Sequence, residues 1–175
     1  MTYKMIRLLF CLSLLFLLLQ CAAFPDPVTS KNRNLKLNSE KRVNLIFTGF
    51  YRYEKEREEI LENIKKQGFF YDQTSPITLE VILQKKDITY RFPLIHKLHF
   101  LLTFLSGGII PSHIRTEHTL TFRYSKSEII LMENEYSIGM DQWRGIPVIL
   151  LMITHWPNRI YREQLVETTR LEFIE

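Results

Sequence analysis

Residues 117–124 read EHTLTFRY, a stretch in which large side chains alternate with small or charged ones. In an extended chain His118, Leu120, Phe122 and Tyr124 fall on one face, and the threonines and the arginine fall on the other. This period of two residues predicts a strand with one buried face. The alternation therefore predicts a sheet that is open to solvent on one side.

The segments around this strand supply a hairpin partner, further strands and helices. Residues 125–127 form a tight polar connection to a second extended stretch at 129–137, which together predict a β-hairpin. Residues 53–67 carry apolar side chains on one helical face and glutamates on another. The other predicted elements are strands at 43–50 and 77–84 and a helix at 158–173. Because strands and helices do not alternate regularly, we expect an α+β fold with a small, mostly antiparallel sheet and helices packed on one face.

Two strongly apolar runs, residues 100–105 and 146–156, interrupt this pattern. Each is too short to span a bilayer, which takes about 20 residues. Exposed in water, a patch of that size would aggregate. We therefore expect the runs to pack against each other and the sheet, with Leu102 and Leu150 in the core. The alternative is that they contact lipid.

The N-terminal residues have the three parts of a secretory signal. Lys4 and Arg7 supply positive charge, and residues 8–19 are apolar except for Ser13. An apolar run of about a dozen residues fits a signal peptide and is too short for a spanning helix. We assign residues 1–20 to this signal.

Residues 18–21, Leu-Leu-Gln-Cys, resemble the lipobox of bacterial lipoproteins, and Gln20 resembles the looser lipoboxes of spirochaetes. The resemblance implies that Cys21 is the lipid attachment site, because a thiolate is nucleophilic enough to take the lipid as a thioether. It also implies an exported domain held by its lipid at the cell membrane. Ala22 stands where aspartate signals retention at the inner membrane in some bacteria, so the outer membrane is expected.

A second resemblance covers the C-terminal half of the chain. Residues 106–112 (SGGIIPS), the hairpin, Trp143 and the run 146–156 are similar to a group of uncharacterised bacterial cell-envelope lipoproteins. That group has no assigned activity. The resemblance therefore implies a compartment and no mechanism.

These observations divide the chain into three parts. The signal peptide, residues 1–20, is followed by a lipid-anchored flexible tether at 21–41 that contains Pro25 and Pro27. Residues 42–175 form a single α+β domain. The chain has 23 basic and 19 acidic residues. This near balance, together with export, argues against a nucleic acid partner.

The histidines are the candidates for a metal site. His96 and His99 are spaced i, i+3, and His113 and His118 lie near Glu117. A zinc site from these residues is one alternative. The other is that the first pair forms the polar edge of an apolar helix and the second pair lies in a loop. Because no compact ligand spacing is present, we expect no metal and no cofactor.

Catalytic motifs are equally sparse. Ser112, His113 and Glu117 supply the residue types of a hydrolase, but sequence neighbours rarely form a triad. Asp141, between Gly139 and Gly145, fits a turn. We therefore expect no catalytic residues and no enzyme.

Three functions follow from these expectations. The first is a non-catalytic accessory or scaffold protein that binds other envelope proteins. The second is a lipid or membrane-surface binding protein, which the two apolar runs motivate. The third is an enzyme with a histidine-based site.

Overall fold

The computed structural model describes residues 21–30 and 41–173, together with Arg7. Apart from Arg7, the predicted signal peptide lies outside the described residues, as do residues 31–40 of the predicted tether. The described strands are β1 Cys21–Pro25, β2 Thr29–Ser30, β3 Arg42–Thr48, β4 Phe70–Tyr71, β5 Ile77–Lys86, β6 Ser112–Lys126 and β7 Ile129–Arg144. The described helices are α1 Glu54–Lys66, α2 Pro93–Leu105, α3 Ile149–Met152 and α4 Pro157–Phe173, with a 3-10 helix at Ile146–Val148.

The strands form one seven-stranded sheet in the order β1-β7-β6-β5-β3-β4, with β2 also paired to β7. β3 runs parallel to both β4 and β5, whereas β5 and β6 are antiparallel. The α+β class is confirmed, but the prediction of a small, mostly antiparallel sheet is wrong, because the sheet is large and mixed. Parallel neighbours need a crossover of a dozen or more residues, and α1 is that crossover between β3 and β5.

The chain divides into two compact units. We call the first, made of Met1–Pro25, Ile88–Thr116 and Met140–Ile160, the Cys21 unit. We call the second, made of Asp26–Asp87, Glu117–Gly139 and Tyr161–Glu175, the helix–sheet unit. β6 and β7 contribute residues to both units, so the predicted single domain 42–175 contains parts of each.

The helix–sheet unit holds the larger core. Phe122 on β6 is fully buried and meets Phe173 of α4, with ring centroids 5.7 Å apart. α1 buries Ile60 and Ile64, one helical turn apart. Each such side chain contributes roughly 1.5–3 kcal/mol by leaving water. The strand alternation predicted for 117–124 is therefore confirmed, with the Phe122 face covered by α4.

The hairpin turn lies slightly later than the sequence predicts. Ser127 and Glu128 have positive φ angles of 49° and 68°, which makes a two-residue connection between β6 and β7. Turns of this kind match the right-handed twist of the strands they join. Gly49, after β3, has a φ of +87°, and a Cβ there would lie 2.0 Å from the Leu83 carbonyl oxygen. Only glycine fits that position.

Residues 21–30 differ from the predicted flexible tether. Cys21–Pro25 pairs with β7, with Cys21 opposite Arg144 and Pro25 opposite Met140. Ala22 and Ala23 are fully buried. The pairing partners lie more than a hundred residues away, and no local pattern in a five-residue strand signals such a pairing.

Candidate functional site

Helix α2 is rich in apolar residues, but none of its side chains is buried. Nine of its thirteen residues are leucine, isoleucine, phenylalanine or proline, yet none of the thirteen is buried. Leu94 is 80% exposed and Leu105 is 70% exposed, at opposite ends of the helix. The prediction that this run packs in the core, with Leu102 in it, is wrong. A helix with this many apolar side chains is normally buried in a protein core or in a membrane.

The second apolar run is exposed as well. Residues 146–156 contain the 3-10 helix and α3, and only Val148 in this run is buried. Leu150 is 80% exposed and Ile153 is 79% exposed, while Trp156 is about half exposed. Leu150 is therefore not a core residue either. The sequence pattern shows that both runs are apolar, but it does not show whether other parts of the chain cover them.

Both ends of α2 are attached to the rest of the Cys21 unit. At its start the His96 ring stacks on Tyr90 at 3.7 Å, and the Tyr90 hydroxyl accepts the backbone N–H of Arg115. After its end the Gly108 carbonyl accepts the N–H of Ile146 at 2.8 Å. Gly145 has a φ of +143°, and a Cβ there would meet that carbonyl at 2.8 Å. This hydrogen bond joins the turn after α2 to Ile146, the first residue of the second apolar run.

A small apolar cleft lies along one face of α2. Its walls include Phe100, Thr103 and Phe104, which share a helical face, and Arg144 at the end of β7. Its volume is about 90 Å³. We name the large exposed apolar residues of α2 and of 146–156 the apolar surface: Leu94, Ile95, Leu98, Phe100, Leu101, Leu102, Phe104, Leu105, Ile146, Leu150, Leu151, Ile153 and Trp156.

Cys21 lies in the same unit as the apolar surface. It begins β1 opposite Arg144, so the two side chains fall on one face of the strand pair. Its thiol lies 3.6 Å from Gln142 Oε1. Burial raises the pKa of the Cys21 thiol above its ordinary value, and the neighbouring Arg144 partly offsets that rise. Two residues further along β1, the Ala23 N–H donates to the His155 carbonyl at 2.8 Å. This hydrogen bond connects β1 to the second apolar run.

The charges of the Cys21 unit are mostly positive. Residues 21–25, 88–116 and 140–160 contain one acidic residue, Asp141. Its carboxylate accepts from His113 Nε2 at 2.9 Å and from Arg115 at 3.2 Å. The predicted turn role of Asp141 is wrong, because the residue lies within β7 and pairs with Phe24. The five basic residues of these segments are Arg91, Lys97, Arg115, Arg144 and Arg159.

The histidines of the alternative zinc site have separate partners. His96 stacks on Tyr90, and His113 binds Asp141. His118 lies in the helix–sheet unit against Tyr53 and Tyr161. Over the described ranges, no group of three or more His, Cys, Asp or Glu side chains is placed to hold a metal ion.

The hydrolase residue types do not form a triad either. Ser112 is buried, and the His113 imidazole is directed to Asp141. Glu117 forms an ion pair with Lys86 at 3.3 Å. The Asp141–His113 pair is therefore a hydrogen bond within the Cys21 unit.

Sequence reasoning missed two polar clusters in the helix–sheet unit. Glu172 on α4 is buried and accepts from the Tyr124 hydroxyl, the Asn134 amide and the Tyr136 hydroxyl at 2.7–3.0 Å. His118 Nε2 lies 3.3 Å from the Tyr53 hydroxyl. The even-numbered positions of β6 and β7 signalled that Tyr124, Asn134 and Tyr136 share a buried face. The carboxylate they meet is 36 or more residues away in the chain.

No helix in the part of the chain that the structure describes is both long and apolar enough to cross a bilayer.

The comparisons with known proteins find a likeness among solved structures only. No family model matches the chain, and no curated protein sequence matches it. The fold is similar to a crystal structure of a minor lipoprotein from Acinetobacter baumannii, with a TM-score of 0.44 and 6% sequence identity. The match covers 76% of this chain and 87% of that one. At this distance the likeness concerns the general arrangement of helices and strands. The spirochaete resemblance stays a prediction.

Proposed function

We propose that this protein is a non-catalytic, lipid-anchored protein of the bacterial cell envelope whose Cys21 unit rests on the membrane through the apolar surface. The observation that carries the proposal is α2, an apolar helix without a buried residue. Within the described residues no protein core covers it, and its thirteen residues are too few to cross a bilayer. Such a helix can bury its apolar side chains by lying in the interface between the lipid headgroups and the acyl chains.

The position of the predicted lipid supports the same arrangement. Cys21 is the first residue of β1, and β1 is paired along its length with β7. A lipid on this thiol would join the Cys21 unit directly, without a flexible spacer between them. The apolar surface belongs to the same unit, so anchor and apolar surface would reach the membrane together.

Fluorescence quenching tests the proposal with the whole chain. The chain has two tryptophans, and a Trp143→Phe change leaves Trp156 of the apolar surface as the single reporter. The protein is purified from bacterial membranes and reconstituted into vesicles that contain brominated lipids. We expect strong quenching of Trp156, because bromine quenches only at contact distance within the bilayer.

A matched pair of variants separates docking from simple attachment. Leu94→Asn with Leu98→Asn on α2 should reduce quenching several-fold. Ile129→Asn with Ile130→Asn, at two exposed apolar residues of the other unit, should leave the quenching unchanged. Absence of quenching in the parent protein would overturn the membrane-surface role. The apolar surface would then be assigned to an envelope protein partner, as in the scaffold role expected from the sequence.

The location at the outer membrane is part of this proposal. It rests on Ala22 after the lipidated cysteine. Separation of inner and outer membranes on a density gradient tests it, and recovery of the protein with the inner membrane would contradict it.

A further inference from the structure

We infer that the Cys21 unit selects membranes that contain anionic phospholipids, through Arg91, Lys97 and Arg144. This inference rests on the proposed function, since it names the class of lipid that the docked surface recognises. The shared chemistry is that of a negatively charged phosphate-containing headgroup in a bilayer. Three observations support the inference. The unit has an excess of basic residues, its one acidic residue in the described segments is already paired, and the three basic residues lie beside the apolar surface and Cys21.

The two units differ in charge. Residues 21–25, 88–116 and 140–160 carry five basic residues against one acidic residue. Residues 26–30, 41–87, 117–139 and 161–173, in the helix–sheet unit, carry 13 basic against 16 acidic. The unit with the apolar surface is thus the positive one. A basic surface is complementary to the negative potential of an anionic bilayer, and the two attract over about a Debye length.

The single acidic residue is already neutralised within its own unit. The Asp141 carboxylate oxygen Oδ1 accepts hydrogen bonds from both His113 Nε2 and Arg115. Its charge is therefore offset by Arg115, and the other basic residues of the unit face no uncompensated carboxylate among the described residues 21–25, 88–116 and 140–160. Of the other four basic residues, Arg159 lies on α4, and Arg91, Lys97 and Arg144 are exposed.

These three residues border the apolar surface and the anchor. Lys97 lies within α2. Arg91 lies two residues before the start of α2, and the Arg91 guanidinium is 5.4 Å from the Phe92 ring centroid. Arg144 lies opposite Cys21 in the strand pair and also lines the cleft beside Phe100 and Phe104. Long basic side chains reach from an apolar interface to the headgroups by extending their aliphatic stems. A lipid on Cys21 would set Arg144 at headgroup level.

The test measures the docking of Trp156 in vesicles of two compositions. The Trp143→Phe protein is reconstituted into brominated phosphatidylcholine, with and without about one third phosphatidylglycerol. We expect the docked fraction to be higher with the anionic lipid, and that gain to fall as salt rises from about 0.05 M to about 0.5 M, since salt screens surface charge.

Charge variants identify the residues. Replacing Arg91, Lys97 and Arg144 with glutamine should lower the docking equilibrium constant in anionic vesicles by about fivefold per charge, the change that corresponds to about 1 kcal/mol per basic residue. Lys55→Gln, Lys65→Gln and Lys66→Gln on α1 remove the same net charge from exposed sites in the other unit and should change docking little. An Arg91→Gln, Lys97→Gln pair repeats the test with Arg144, the neighbour of Cys21, intact.

The outcomes separate this inference from the proposed function. Equal docking in neutral and anionic vesicles, or an equal loss in the α1 variant, would overturn the choice of anionic lipid while leaving membrane docking in place. Absence of docking in both vesicles would overturn both.

Discussion

His118 is a buried imidazole whose protonation opposes folding. Burial, followed by the positive charge of Lys85, lowers the pKa of His118 to about 4, against 6.5 for an exposed histidine. The unfolded chain therefore binds more protons than the folded chain between these two values. The neutral His118 side chain therefore contributes fully to the free energy of unfolding above pH 6.5, and this contribution is lost as the pH falls to about 4. The full loss is about 3 kcal/mol, at about 1.4 kcal/mol for each pKa unit.

Urea unfolding of wild-type protein and His118→Gln at pH 7 and pH 4.5 checks this effect. The wild type should lose more unfolding free energy than the variant, because glutamine does not titrate. Carboxylate protonation is common to both proteins and cancels in the comparison. An equal loss in the two proteins would contradict the assignment.

Glu172 is the second buried group with consequences at the residue scale. Its carboxylate is held by the Tyr136 hydroxyl at 2.7 Å and the Tyr124 hydroxyl at 3.0 Å. Hydrogen bonds to a charged group contribute about 1.5–3 kcal/mol each. We therefore expect Tyr136→Phe to lower the unfolding free energy by about that amount.

A double-mutant cycle with Glu172→Gln separates the contact from general packing. Tyr136→Phe should cost less in the Glu172→Gln background, where the acceptor is uncharged. Strictly additive losses would show that Tyr136 and Glu172 act independently.

At the scale of elements, the same leucine-to-alanine change should destabilise the protein much less in the exposed helix α2 than in the buried strand β6. Leu94→Ala in α2 removes a side chain that is 80% exposed and should change the unfolding free energy by no more than about 0.5 kcal/mol. Leu120→Ala in β6 removes a fully buried one and should cost about 2–5 kcal/mol. Chemical unfolding in detergent-free buffer measures both. A large loss for Leu94→Ala would place α2 in a protein core.

Most elements follow from local periodicity. The predicted helix at 53–67 is α1, Glu54–Lys66, and the predicted strand at 77–84 is β5, Ile77–Lys86. These elements carry their own pattern of buried positions, so the sequence alone identifies them. The pairing of β3 with β5 was not predictable in the same way, because it depends on the path of α1 between them.

The candidate site was predictable only in part. Cys21 and the two apolar runs stand out in the sequence, but hydropathy does not distinguish packing in a protein core from contact with lipid. β1 escaped prediction because five residues with one proline show no strand period, and their partner, β7 near Arg144, is distant in sequence. The placement of Cys21 and the apolar surface in one unit therefore emerges only from the tertiary structure.

At the scale of the whole molecule, the predicted lipid on Cys21 would hold the processed protein on the membrane. We expect Cys21→Ala to abolish incorporation of labelled lipid and to leave an uncleaved precursor, because alanine has no thiol to receive the lipid. Alanine is compatible with β1, where Ala22 and Ala23 are already buried, so the fold should persist. Metabolic labelling and gel mobility measure both effects, with Cys11→Ala as the matched control that should process normally. A Cys21→Ala protein that is still cleaved and lipid-labelled would contradict the lipoprotein interpretation.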